Sequence, residues 1–219
     1  MPLAPSSITL IGYTADSLSI AWSVPTNTGI GGTTKPILNY NLQVDENFGA
    51  GFIDLSEQTT TSYTHLNLIK GHVYSYRVKA ENFLGYGAYS TAFTFTPIEV
   101  PGKPLRAPRN VVASTYRNTI FIVYDASLNT GGSAITSYKI YVDDGLNGAF
   151  GSAINNGLLT TYNTALLGLT SGRKYKLKFS ASNAAGEGPQ SDEVAILMAE
   201  VPSVPTSLQR IDQSLLSAG

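Results

Sequence analysis

The feature that most constrains this 219-residue chain is that it is written twice. Leu68-Ile69-Lys70-Gly71-His72-Val73-Tyr74 returns 101 residues later as Leu169-Thr170-Ser171-Gly172-Arg173-Lys174-Tyr175, both reading Leu-x-x-Gly-x-x-Tyr. At the same offset Ala80, Asn82, Gly85, Gly87 and Ser90 answer to Ala181, Asn183, Gly186, Gly188 and Ser191. Upstream, Leu18-Ser19-Ile20-Ala21-Trp22 corresponds to Ile120-Phe121-Ile122-Val123-Tyr124, and Tyr40-x-Leu42-x-Val44 to Tyr138-x-Ile140-x-Val142. The length exceeds the usual single domain of about 100 to 150 residues, so two domains are expected. Glu99-Val100-Pro101 recurs as Glu200-Val201-Pro202, and residues 201–219 are expected to begin a third repeat, with Leu208, Arg210 and Ile211 in its first strand and Leu215 where the next would start.

Each unit reads as β. Leu18, Ile20 and Trp22 alternate with Ser19 and Ala21, and Tyr74, Tyr76 and Val78 alternate with Ser75, Arg77 and Lys79, which buries one face. Turn signals fall between these runs at Asn27-Thr28-Gly29, Gly31-Gly32, Asn129-Thr130-Gly131-Gly132 and Asp144-Gly145, and no stretch offers ten residues of helical spacing. Seven short strands in roughly 95 residues is the count of a β-sandwich.

Composition narrows the function. Only 13% of residues are charged, about half the usual share, and 14 basic against 15 acidic residues leave a net charge of −1, too little field to attract nucleic acid or an anionic membrane. Without cysteine there are no disulfides or thiol chemistry, and catalysis through histidine rests on His65 and His72 alone. No apolar run reaches the roughly 18 to 20 residues that span a bilayer, and Met1-Pro2-Leu3-Ala4-Pro5 has neither the basic nor the apolar region of a signal peptide, so it reads as a start placed before an excised piece. Fourteen asparagines form no Asn-x-Ser/Thr acceptor.

On these motifs the chain resembles tandem fibronectin type III domains over about residues 2–98 and 108–199. In that family an aromatic side chain on the second strand packs in the core, a place matched by Trp22 and, as a substitution, by Tyr124. The family's tyrosine corner matches Leu68 with Tyr74 and Leu169 with Tyr175, and its Ala-x-Asn-x-x-Gly-x-Gly run matches Ala80 to Gly87 and Ala181 to Gly188. Gly131 to Tyr138 is similar to the Gly-Gly-Ser-x-Ile-x-x-Tyr segment common in modular muscle and adhesion members; the first copy departs by inserting Ile30 and extra threonines between its glycines. The resemblance implies an all-β chain of two Greek-key, seven-stranded β-sandwiches in tandem, at 2–98 and 108–199. Residues 99–107 form a proline-rich linker between them, and 200–219 a second linker with an incomplete repeat. Three prolines between Glu99 and Pro108 favour an extended, semi-rigid connection and a strung-out rod.

The implied role is a non-enzymatic structural, spacer or adhesion pair that mediates protein interaction within a longer multi-repeat protein. An accessory spacer of a secreted polysaccharide-active enzyme and an intracellular cytoskeletal or axonemal scaffold stand as alternatives, which leaves the compartment open. Partners are expected to be proteins, whether neighbouring repeats or another chain. No nucleic acid, membrane insertion or cofactor is expected, and the chain should be a monomer with weak self-association through its C-terminal residues.

Chemistry finds little footing. Neither histidine lies near a Gly-x-Ser-x-Gly elbow, Arg173 replaces His72 in the second copy, and Gly85-x-Gly87 precedes a strand where a phosphate cradle needs a helix. Asp45-Glu46 and Asp143-Asp144 read first as turn formers and not as calcium loops. Arg-Gly-Asp, the signal of integrin recognition, is absent. Two surface groups remain as candidate protein contacts. Phe83, Leu84, Tyr86 and Tyr89 lie before the last strand of the first unit, where the second has Ala184, Ala185, Glu187 and Gln190. Lys174, Lys176 and Lys178 alternate with Tyr175, Leu177 and Phe179, and with Lys139 and Tyr141 alongside they form a local basic patch.

Overall fold

A computed structural model describes residues 1–29, 35–46, 49–116 and 118–199. The Gly31-Gly32 loop, Ile30 and the residues expected to open a third repeat lie outside the described residues.

The first domain contains β1 (Ile8–Tyr13), β2 (Leu18–Trp22), β3 (Asn39–Asp45), β4 (Ile53–Gln58), β5 (Ser62–His65), β6 (Tyr74–Asn82), β7 (Gly85–Tyr86) and β8 (Phe93–Phe95). One sheet is ordered β1-β2-β5 and the other β4-β3-β6, with β7 and β8 both on the far side of β6 as two parts of one interrupted edge. Every pairing is antiparallel, so one face of each sheet turns inward at alternate residues. Leu18, Ile20 and Trp22 from one sheet meet Tyr40, Leu42, Val44, Tyr74, Tyr76 and Val78 from the other, all buried.

The second domain repeats this plan with β9 (Arg109–Asn110), β10 (Phe121–Val123), β11 (Ser137–Val142), β12 (Ile154–Asn155), β13 (Thr161–Asn163), β14 (Lys174–Asn183), β15 (Gly186–Glu187) and β16 (Val194–Leu197). Its sheets are β13-β10-β9 and β12-β11-β14, with β15 and β16 on β14. Ile120, Ile122, Tyr124, Tyr138, Ile140, Tyr175, Leu177 and Phe179 form its core. The first strand is shorter here because Thr115 takes over backbone partners: its hydroxyl accepts from Phe121 N at 3.2 Å and donates to Asn110 Oδ1 at 2.6 Å beside a 3-10 turn at Val112–Ser114.

The residues that recur between the copies have local tasks. Asn82 Oδ1 caps the hairpin by accepting from Leu84 N, while its Nδ2 donates to Thr28 O at 2.6 Å; Asn183 does the same for Ala185 N and Thr130 O. A Cβ on Gly87 would overlap Pro2 O, and one on Gly188 would overlap Pro101 O, so glycine lets the entering chain lie against the sheet edge. Trp22 meets Tyr40 edge-on at 5.8 Å, and its counterpart Tyr124 meets Tyr138 at 5.4 Å. The Tyr124 hydroxyl donates to Leu159 O at 2.6 Å and accepts from Asn156 Nδ2, a polar anchor with no equivalent at Trp22, whose buried indole N–H has no hydrogen-bond partner among the described residues. At the two corners Tyr74 Oη accepts from Ile69 N at 2.8 Å, and Tyr175 Oη from Thr170 N at 2.7 Å.

The linker is fastened at both ends. Pro97 O accepts from Gly71 N in the first domain, and Glu99 N and Gly102 N donate to Gly131 O and Asn129 O in the second, each at 2.9 Å. Asn183 Nδ2 also donates to Glu99 O, Lys70 forms an ion pair with Glu99, and Lys103 pairs with Asp192 at 2.6 Å. Proline stiffness is thus joined by backbone bonds that tie the linker to the second sandwich and by the Lys70–Glu99 ion pair that ties it to the first.

Candidate protein-contact surfaces

The four aromatic and apolar residues before the last strand of the first domain separate into two groups. Phe83 and Leu84 stand at the apex of the β6–β7 hairpin, 62% and 42% exposed, with Lys35 Nζ 5.6 Å from the Phe83 ring centre. Tyr86 and Tyr89 do not share that apex. Tyr86 is already paired with Glu81, and both rings lie over the outer face of β6.

There they complete a ladder that the sequence reading did not identify. The Arg77 guanidinium sits between Phe52 and Tyr89, 4.0 and 4.3 Å from the ring centres, and Lys79 Nζ sits 4.6 Å from Tyr89 and 4.5 Å from Tyr86. The Tyr89 hydroxyl donates to Asn41 Oδ1 and that of Tyr86 to Glu57 Oε1. Partial burial, then the Glu57 bond and the charge of Glu81, push the Tyr86 pKa up to about 12. A ring clasped on its face by a cation is spent within the sheet, leaving its edge to solvent. The second domain carries the shorter form of this arrangement, with Lys178 Nζ 3.8 Å from the Phe150 ring centre and 6.0 Å from Tyr141. Phe52 and Phe150 are 98 residues apart and Arg77 and Lys178 are 101 apart, so the recurrence emerges only when each hairpin is aligned separately.

The lysine group is divided in the same way. Lys139 is held by Glu187 Oε2 at 2.6 Å, Lys176 lies 3.4 Å from Glu193, and Lys178 is covered by Phe150. Lys174 is exposed on the first residue of β14. Burial works to raise the Glu187 pKa, but hydrogen bonds from Lys139, Ser180 and Tyr141 outweigh it and bring it down to about 2. The basic patch read along one strand is therefore offset by carboxylates arriving from the neighbouring edge.

Other polar groups serve the fold. His65 is buried at the end of β5, with Nδ1 3.0 Å from the Tyr76 hydroxyl and Nε2 3.7 Å from Glu46. His72 bonds through Nε2 to the Glu46 carbonyl and packs on Tyr74. Asp143 Oδ1 accepts from Gly145 N and Lys176 N, while Asp144 accepts from Leu146 N and Gly148 N, bonds that hold the Asp144 pKa below the usual carboxylate value. Among the described residues no group of three or more His, Asp or Glu side chains is placed to hold a metal, and no helix is long and apolar enough to cross a membrane.

The sequence signature of the fibronectin type III domain matches residues 3–96 and 106–196. The chain belongs to the fibronectin type III family. Such domains are generally non-catalytic modules that mediate protein interactions. The chain is 28% identical over 202 residues to fibronectin type-III domain-containing protein 3a of Gallus gallus, covering 91% of this chain and 16% of that protein. It is 27% identical over 218 residues to tyrosine-protein phosphatase Lar of Drosophila melanogaster, covering 97% of this chain and 10% of that protein. The chain thus spans only a sixth to a tenth of the length of these curated relatives. A crystal structure of titin domains matches the fold with a TM-score of 0.55 at 19% identity, covering 90% of this chain and 67% of that one.

Proposed function

We propose that the chain is a non-enzymatic spacer and contact pair within a larger multi-repeat protein, holding neighbouring parts at a set distance and meeting a protein partner through the β6–β7 hairpin apex. The observation that carries this reading is the contrast between equivalent apices. In the second domain Ala184 and Ala185 precede Gly186, beside which Val100 of the linker lies. In the first domain the same positions are Phe83 and Leu84, and both are exposed. Exposed large apolar side chains on a rigid hairpin suit a protein contact. Relatives in which such a stretch is a small fraction of a long chain, one of them a phosphatase by name, support a role beside other domains and not as the seat of chemistry.

Affinity capture with the wild-type chain and with Phe83→Ser/Leu84→Ser tests the contact. Proteins retained by the first and lost by the second support it. Identical retained sets, with both proteins folded, count against it.

A further inference from the structure

The two domains differ at one seam, between the chain entering each sandwich and the end of its second strand. In the first domain Ser6 closes this seam: Ser6 N donates to Ser23 Oγ at 3.2 Å, and the two hydroxyls lie 2.9 Å apart. Shared backbone bonds fix the equivalence, since Leu3 N donates to Asn27 O just as Gly102 N donates to Asn129 O. Leu105 therefore stands where Ser6 does, Asp125 where Ser23 does, and Leu128 where Thr26 does. Leucine keeps the backbone donor but has no hydroxyl for the second contact, and Asp125, at the acceptor's place, turns to Arg109, whose guanidinium donates to both of its oxygens at 2.8 and 2.9 Å.

The seam of the second domain is accordingly a cavity of about 500 Å³, within the range of ligand clefts. Its walls are Pro104, Leu105, Ala126 and Leu128, and Phe179 of the core forms its floor. Leu105 and Leu128 are 78% and 81% exposed, and both line this one opening. At the rim Lys103 is paired with Asp192 and Asp125 with Arg109, whereas Arg106 forms no ion pair among the described residues and acts on Asp125 only through space. The rim thus carries one positive charge beyond its own pairs.

We propose that this cleft binds a partner polypeptide through a large apolar side chain flanked by a carboxylate. The apolar side chain rests on Phe179 between Leu105 and Leu128, and the carboxylate meets Arg106. The Asn129 side-chain amide at the mouth supplies a polar group that a peptide main chain uses and an acyl chain does not. This site is separate from the Phe83 apex and stands or falls independently of it.

The probe is acetyl-Phe-Asp-amide, titrated into the isotope-labelled chain and followed by amide resonances. Saturable shifts centred on Leu105, Ala126 and Leu128 are expected. Replacing Asp by Asn in the probe, or Arg106→Gln in the protein, weakens binding about tenfold, the size of one charge-assisted contact. Leu105→Ser/Leu128→Thr, which installs the first-domain residues at two exposed positions, removes the shifts without altering the melt, while Phe83→Ser leaves the titration unchanged. The proposal is overturned by the absence of saturation, by equal binding of the Asn probe, or by undiminished shifts in the double variant. Tighter saturation of the same resonances by decanoate also overturns it, assigning the cleft to an acyl chain.

Discussion

Gly132 of the second domain lies against Gly71 of the first so closely that a Cβ added to Gly132 would meet the Gly71 nitrogen at 2.8 Å and Lys70 Cγ at 2.6 Å. Its neighbour Gly131 is tighter still, since a Cβ there would overlap the Glu99 carbonyl oxygen. Both glycines have positive φ, at 72° and 80°. Gly131→Ala should lift the linker from the second domain, break the bond between Glu99 N and Gly131 O, and destabilise that domain by roughly 1 to 3 kcal/mol. Gly157→Ala, also at positive φ but in open space, is the control for backbone strain without collision. Residual dipolar couplings of the two domains, with small-angle scattering, report the junction. An interdomain alignment unchanged by Gly131→Ala would show that these contacts do not set it.

Tyr74→Phe and Tyr175→Phe each remove the hydroxyl that satisfies one corner amide. Each should destabilise only its own domain by about 1 kcal/mol. Separate domain melts give the readout, and equal shifts in both domains from either substitution would contradict local corners.

The sandwich pair was legible because its signals are local. Alternation at Leu18-Ile20-Trp22 and the spacing from Asn82 to Gly87 need only a few residues of chain to declare strand and turn. The surfaces were less legible because they depend on cross-strand register. The lysines of β14 could be read along one strand, but Glu193 reaches Lys176 from just before β16, and Glu187 of β15 reaches Lys139 on β11. Phe52 finds Arg77 only after the β3–β4 hairpin places it there, and the two copies differ in the length of intervening loops. The seam at Leu105 turns on the lost Ser6–Ser23 bond, which periodicity does not encode.

The two domains should differ in their response to acid. Burial holds the His65 pKa below its ordinary value of 6.5 against the opposing pull of Glu46, with Tyr63, Tyr74 and Tyr76 around the ring. A folded pKa below the unfolded one means that the unfolded chain binds the proton first. The contribution of His65 is therefore complete above pH 6.5 and is lost as pH falls from there to the folded value. The second domain contains no histidine, and its Glu187, at about 2 when folded against 4.5, contributes stability that is complete above pH 4.5 and lost between there and about 2. Trp22 is the only tryptophan, so its fluorescence reports the first domain, while amide resonances report the second. Between pH 7 and 5.5 the first midpoint should fall and the second hold; a flat first midpoint would remove His65 from the account.

Ser90 and Ser191 are equivalent by sequence, and each repairs an interruption at a sheet edge. β6 pairs with β8 at Tyr74–Tyr76 and with β7 at Glu81–Asn82, so Val78 falls between the two ladders. Its amide donates to Ser90 Oγ at 3.1 Å while Ser90 N returns a bond to Val78 O; Ser191 treats Phe179 identically. Each hydroxyl in turn donates a hydrogen bond to the next carbonyl, Thr91 O or Asp192 O. Ser→Ala at either position removes the acceptor but leaves the buried backbone donor, so the loss is that of an unsatisfied amide, about 1 to 3 kcal/mol, and not the smaller net value of an exchangeable surface bond. Ser152→Ala, exposed in the same domain as Ser191, should stay within about 0.5 kcal/mol. Hydrogen exchange at Val78 and Phe179 separates this mechanism from general loosening. Each amide should lose protection in its own variant while the neighbouring β6–β3 or β14–β11 bonds keep theirs. Protection retained at Val78 in Ser90→Ala would mean that another group, and not the hydroxyl, satisfies the break in the ladder.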